Sequence, residues 1–179
     1  MTILIQQWDQ FIDSYQTYHR NQQGLKIEYD SQWPSPCYCN SAADGEIVNW
    51  LPVKRDVLGD FADLAKALEI NFPEALSEVF GRYWSDNLTV RLDESRFDIL
   101  QPWNEEDFAR LQHNLIGHVL MKRRLKQPDT LFFGLAEDED WIVSLDVASG
   151  RVMLERVGMV PTQELAPDML SFIRRLQPV

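Results

Sequence analysis

The sequence predicts an α+β fold, a mostly antiparallel sheet surrounded by helices, and three observations carry that reading. Apolar residues recur at spacings of three and four near both ends and in the middle, giving helical stripes. Between them lie alternating runs joined by polar or tight turns, the pattern of a hairpin and an antiparallel meander. The 179 residues are 45% hydrophobic and 25% charged, ordinary proportions for a globular chain long enough to bury a core without disulfides or metal. We expect one domain over residues 1–179.

From about Ile3 to Gln22, residues Ile5, Trp8, Phe11, Ile12, Tyr15 and Tyr18 form one apolar stripe and predict an amphipathic helix, with Gly24 to end it. Trp33-Pro34-Ser35-Pro36 predicts an extended segment, because a residue before proline is pushed out of the helical region. Asp44-Gly45 turns the chain into a short strand over Glu46 to Leu51, with Cys37 to Asn40 as its candidate partner. Between Asp60 and Trp84, the spacing of Phe61, Leu64, Leu68, Phe72, Leu76, Val79, Phe80 and Tyr83 predicts two short helices, Pro73 falling in the first turn of the second. Leu88, Val90 and Leu92 alternate, and so do Phe97 and Ile99 beyond Asp93-Glu94-Ser95, which predicts a hairpin.

Asn104 is a good N-cap, and Glu105, Glu106 and Asp107 load the first turn, where the helix dipole favours anions. Phe108, Leu111, Leu115 and Val119 supply the buried stripe of the helix that follows. Lys122, Arg123, Arg124 and Lys126 load its last turn with cations before Pro128 stops it. That placement favours helix stabilisation over contact with anionic lipid as the purpose of the basic run. At 1.5 Å per residue the helix would run roughly 30 Å and form the spine of the fold. Leu131 to Leu135, Trp141 to Val147 and Arg151 to Val157 then predict three strands, joined by the acidic turn Glu137 to Asp140 and by Ala148-Ser149-Gly150. Leu165 to Leu176 predicts a closing helix that buries Leu170, Phe172, Ile173 and Leu176.

The net charge of −11, from 28 acids against 17 bases, would repel a phosphate backbone or an anionic lipid surface. It would speed encounter with a Lys/Arg-rich surface, although solubility alone also accounts for an acidic chain. No signal peptide and no run of about 20 apolar residues is read. Cys37 and Cys39, one residue apart, suit neither a disulfide framework nor a structural zinc site, which fits a reducing compartment.

Signs of catalysis are weak. His113 and His118 are five residues apart on one helix, hence on different faces, and His118 flanks the apolar stripe, which suits a hydrogen-bonded core residue better than a ligand. Cys37 has no adjacent basic cluster to activate it, so a buried structural thiol is the better reading. No nucleophile elbow, Walker-type loop or dinucleotide fingerprint is present. For the tryptophans at element ends, Trp50, Trp84 and Trp103, core filling and partner anchoring both fit.

The stretch Ile99-Leu-Gln-Pro-Trp-Asn-Glu-Glu-Asp-Phe-Ala-Arg-Leu-Gln-His-Asn-Leu-Ile-Gly-His118, with Lys122-Arg-Arg-Leu-Lys-Gln-Pro128 and Thr130-Leu-Phe132, closely resembles the Syd family of SecY-interacting proteins. The likeness extends to Ser35-Pro36-Cys37, Trp50, Pro52, Ser149-Gly150, Val152, Glu155 and Leu176-Gln-Pro178, and so to nearly the whole chain. It implies a monomeric, SUKH-like α+β protein of the bacterial cytoplasm, peripheral on the inner membrane through SecY, with no enzyme activity and no cofactor or metal. It further implies docking by an acidic surface on the basic cytoplasmic loops of SecY, to sequester uncomplexed SecY or to restrain the translocase. No family motif assigns the contact residues; Glu105, Glu106, Asp107, Asp98 and Asp86 are our candidates for the partner-binding face. The alternative reading is an immunity-type protein of the same fold group that neutralises a toxin.

Overall fold

The computed structural model describes residues 1–179, and the α+β prediction holds. Helix α1 (Ile3–Arg20) starts where Thr2 Oγ1 accepts a hydrogen bond from the Ile5 amide, and it buries the predicted stripe Ile5, Trp8, Phe11, Ile12 and Tyr15. Gly24 takes φ +76°, the left-handed conformation that only glycine adopts cheaply, and turns the chain into β1 (Lys26–Glu28). That strand, which the sequence reading missed, pairs antiparallel with β2 (Ile47–Asn49). The expected partner, Cys37 to Asn40, contributes only a single bridge, Tyr38 to Trp50. Two-residue strands β3 (Val53–Lys54) and β4 (Tyr83–Trp84) pair around α2 (Ala62–Leu68) and α3 (Glu74–Gly81), the two short helices that the spacing predicts.

The main sheet has seven strands. The predicted hairpin is β5 (Leu88–Leu92) and β6 (Ser95–Ile99), followed by α4 (Glu105–Arg124) and then by the meander β7 (Thr130–Ala136), β8 (Trp141–Asp146) and β9 (Val152–Arg156). Residues 163–166 overturn part of the closing-helix prediction: they form the edge strand β10 (Gln163–Ala166), and α5 is confined to Met169–Arg175. Pro167 lies between them, and Asp168 caps the helix by accepting from the Ser171 amide. Strand β11 (Gln177–Pro178) covers the other edge, so the order is β10-β9-β8-β7-β6-β5-β11, antiparallel at every pairing.

Helices cover both faces of this sheet. On β7, Phe132 lies edge-on to His118 of α4, whereas Phe133 meets Phe172 of α5 edge-on at 5.5 Å. One cluster of 33 buried residues runs through all five helices, so the molecule has a single hydrophobic core. Away from the sheet, α1 is tied down by Asp9, which accepts from Arg82 Nε at 3.0 Å and Nη2 at 2.7 Å, Tyr83 Oη at 2.8 Å and Lys54 Nζ at 3.0 Å. Burial pushes the Asp9 carboxyl up, but the bonds from Arg82, Tyr83 and Lys54 outweigh it and hold the group down at about 2. No helix is long and apolar enough to cross a membrane.

Candidate functional site

The start of α4 is built as its sequence predicts. Asn104 Oδ1 accepts from the Asp107 amide, while Asp107 Oδ2 reaches back to accept from the Trp103 amide at 2.9 Å. The Pro-rich segment is sewn onto this turn from outside. Trp103 Nε1 donates to Trp33 O at 3.2 Å, Ser35 Oγ donates to Trp103 O at 2.7 Å, and Asn104 Nδ2 donates to Pro34 O at 2.8 Å. Tyr38 packs edge-on to Trp103 at 5.1 Å, which fixes the loop between β1 and β2 against the helix.

These contacts enclose an open cleft of about 480 Å³ between that loop, the Asp86-Asn87 turn and the first turns of α4. Glu28, Asp30, Asp86 and Asp107 line it, opposed by a single cation, Arg110, while Trp33, Tyr38, Trp103, Leu111 and Phe132 supply apolar walls. Arg110 Nη2 donates to Asp107 Oδ1 at 2.7 Å, and its guanidinium stands 5.3 Å above the Trp33 ring. Asp86 forms no ion pair; its one side-chain bond comes from the Asn87 amide at 2.8 Å. Burial pushes its carboxyl above the usual range against that bond, and the charges of Asp107 and Asp98 push the same way. Beside it lies Gln101, 5% exposed. Its amide nitrogen donates to Val79 O and Leu100 O, which fixes Oε1 as the acceptor, and that oxygen is buried with no donor.

Of the five acids chosen from sequence, the cleft brings together Asp86 and Asp107. Asp98 lies on β6, half-buried, and accepts from Thr89 Oγ1 at 2.8 Å. Glu105 and Glu106 are exposed and outside the cleft, Glu105 lying 3.8 Å from Arg55. Glu28 and Asp30 were missed, because they reach α4 through a loop whose approach no local pattern announces.

The far end of α4 differs from expectation at one residue. Lys122 stands in the last turn as expected, but it is fully buried and pairs with the fully buried Glu155 of β9 at 3.2 Å. Glu155 also accepts from Thr130 Oγ1 at 3.0 Å and Ser144 Oγ at 2.7 Å, and Lys122 donates to Met159 O at 2.9 Å. Thr130 spends its proton on Glu155, so its oxygen accepts from Nε2–H of His118 at 2.9 Å. Burial holds His118 toward its neutral form, opposed by the Glu155 charge and assisted by that of Lys122. Every charge in this centre has its partner, and Arg123 beside it is paired with Asp129 at 2.7 Å. Elsewhere, burial raises the Cys37 thiol to about 11, so at neutral pH it is a protonated core group and a poor nucleophile.

A profile described as Syd protein (SUKH-2) matches residues 5–178. The Syd protein of Alteromonas mediterranea is 45% identical over 173 residues, which cover 97% of this chain and 95% of that one. The Syd protein of Pseudoalteromonas atlantica is 44% identical over 154 residues, 85% and 83% of the two chains. The chain belongs to the Syd family. A Syd protein of Shewanella baltica, 38% identical over 173 residues, extends the likeness across 95% of the chain. The family match thus includes both ends of α4, the acidic cleft and the buried Lys122–Glu155 centre.

Proposed function

We propose that this Syd-family chain is a non-enzymatic regulator that binds SecY, docking Lys/Arg-rich segments of its cytoplasmic loops in the acidic cleft at the start of α4. It works as a monomer in the bacterial cytoplasm and sits peripherally on the inner membrane through that contact, sequestering uncomplexed SecY or restraining the translocase. The cleft carries this reading. Four carboxylates against one guanidinium leave a surplus of negative charge in a concavity with aromatic walls, where low-dielectric surroundings focus the field on an approaching cation. Aromatic faces add cation–π attraction worth about 0.5–2 kcal/mol per contact. A chain that is net −11 overall has no comparable site for a nucleic acid or an anion in this groove.

Capture of SecY from detergent-solubilised membranes at low and high salt tests the proposal. Binding is expected at low salt and is expected to fall steeply as ionic strength rises, because screening shortens the reach of the cleft's field. Asp86→Asn combined with Glu28→Gln should weaken it further. Neutralising Glu137 and Glu139, in the exposed turn between β7 and β8, should leave it unchanged. Equal loss from both pairs of substitutions would reduce the contact to net charge and refute a specific dock.

A further inference from the structure

We propose that the basic segment bound at the cleft adds to β1 as an extended strand, pairing its main chain with the free N–H and C=O groups of Lys26 and Glu28. The inference rests on the reading of the cleft as a dock for a basic segment, and it names the conformation in which that segment is held.

The ladder between β1 and β2 leaves one side of β1 open. Trp50 N donates to Leu25 O at 3.1 Å and Tyr29 N donates to Glu46 O at 2.8 Å, with Ile27 opposite Val48 between them. Main-chain groups point to the two sides of a strand in turn, so Leu25, Ile27 and Tyr29 face β2, while Lys26 and Glu28 face away. No hydrogen bond engages the N–H or C=O of either residue, both are exposed, and no third strand joins this sheet. The next outward amide, that of Asp30, is taken by Tyr38 Oη at 3.2 Å. The edges of the main sheet are blunted by contrast. Strand β10 is bulged at Leu165, whose carbonyl accepts from Arg175 Nη1 at 2.7 Å, and β11 carries Pro178, which has no N–H to offer.

This open edge borders the cleft. Ile27 and Glu28 are consecutive strand residues and point to opposite faces, yet both line the cleft, so the cleft runs along the edge of the strand. A strand added there lies beside Glu28, Asp30, Asp86 and Asp107, with Arg110 the one cation of the lining, which suits basic side chains. Main-chain pairing then supplies affinity, and the alternating side chains supply selectivity. A second copy of this chain would bring the same acids and a net charge of −11 to the edge, so it is disfavoured as the occupant.

The probe is an acetylated, amidated heptapeptide that alternates Lys or Arg with valine, titrated into isotope-labelled protein. It should bind saturably and slow hydrogen exchange at the Lys26 and Glu28 amides. Two further versions carry N-methyl groups on alternate residues, one on the odd positions and one on the even. Only one of these sets faces β1 in a paired strand, so one version should bind about tenfold more weakly and the other should bind as before. Lys26→Pro removes an outward donor and spares the ladder with β2. It also removes a cation, so charge alone predicts tighter peptide binding, whereas strand pairing predicts binding about tenfold weaker. Lys26→Ala, which keeps the donor, should bind at least as tightly as the unaltered chain. Thermal midpoints check that each variant is folded, and the methylated peptides decide the question on the unaltered chain even where Lys26→Pro does not fold. Equal binding by the two methylated peptides, tighter binding by Lys26→Pro or an absence of saturable binding would overturn the inference. Protection of the two amides on concentrating the protein alone would assign the edge to a second copy and overturn it too. Any of these outcomes with SecY capture intact would refute the added strand and spare the dock. Strand pairing with the peptide but no SecY capture would do the reverse.

Discussion

Helix α4 carries a charged cluster at each end, and the two are built on opposite terms. At its start, four carboxylates share an open cleft with one half-engaged arginine, and at least one carboxylate and one amide oxygen have no donor of their own strength. Toward its end, Lys122 and Glu155 are both fully buried, and Thr130, Ser144, His118 and the Met159 carbonyl complete their hydrogen bonds. Burial explains the contrast. A charge taken fully out of water must be matched inside the molecule, because the desolvation cost of each ion amounts to several kcal/mol. A charge left at the mouth of a cleft can remain unmatched, and an unmatched charge is available to another molecule. The closed cluster thus serves the fold, and the open one carries the proposed dock.

The largest expected effect comes from breaking the closed cluster. Lys122→Met or Glu155→Gln alone should destabilise the protein by about 3–5 kcal/mol in denaturant unfolding, since each strands a buried partner. Lys122→Met with Glu155→Leu should recover much of that loss, and the folded fraction of each variant should still capture SecY. If capture falls in step with the folded protein's own affinity, the division between the two ends is wrong.

Asp9 stands between the two cases, half-shielded but fully paired. Its carboxyl is held at about 2 against an ordinary value of 3.8, so the folded state keeps it ionised more strongly than the unfolded chain does. The stability this adds, about 2 kcal/mol, is fully present above the unfolded value and should disappear as pH falls from roughly 4 toward 2. Asp9→Asn should flatten that segment of the pH–stability curve, which thermal melts at a series of pH values would show.

A smaller effect, of opposite sign, is expected in the cleft. The Asp86 carboxyl is shifted upward, so at neutral pH its ionisation opposes folding, and stability should rise as the pH drops through its folded value. Asp86→Asn should therefore raise the thermal midpoint slightly at neutral pH while weakening SecY capture. Smallest of all, Glu137→Gln and Glu139→Gln, exposed in a turn, should change stability by no more than about 0.5 kcal/mol.

The elements that were legible in the sequence are those with local causes. Helix α4 announced itself through Asn104, three first-turn acids and a stripe of apolar residues, and the β5–β6 hairpin through its alternation. Strands β1, β3, β4 and β11 have two or three residues, too few to show a period, and they exist because distant segments dock there. The helix expected from Leu165 ignored Pro167 and Asp168, a break and a cap that were present to be read. The burial of Lys122 went unread for a similar reason. It follows Leu115 and Val119 at the next position of the same stripe, so spacing placed it in the core while residue type suggested the surface. Of the residues lining the candidate cleft, Asp86 and Asp107 were picked out in the sequence, but Glu28, Asp30 and the orphan oxygen of Gln101 depend on tertiary approach alone.

The three hydrogen bonds that sew Trp33, Pro34 and Ser35 to Trp103 and Asn104 carry a consequence for kinetics. They assemble the aromatic wall before any guest arrives, so association need not wait for a loop to close or forfeit freedom in ordering it. Encounter would then be set by long-range attraction, fast at low ionic strength, and lifetime by how well the guest's donors meet acceptors already in position. On the proposed reading, such a cleft would survey many partners quickly and linger only on one that fits.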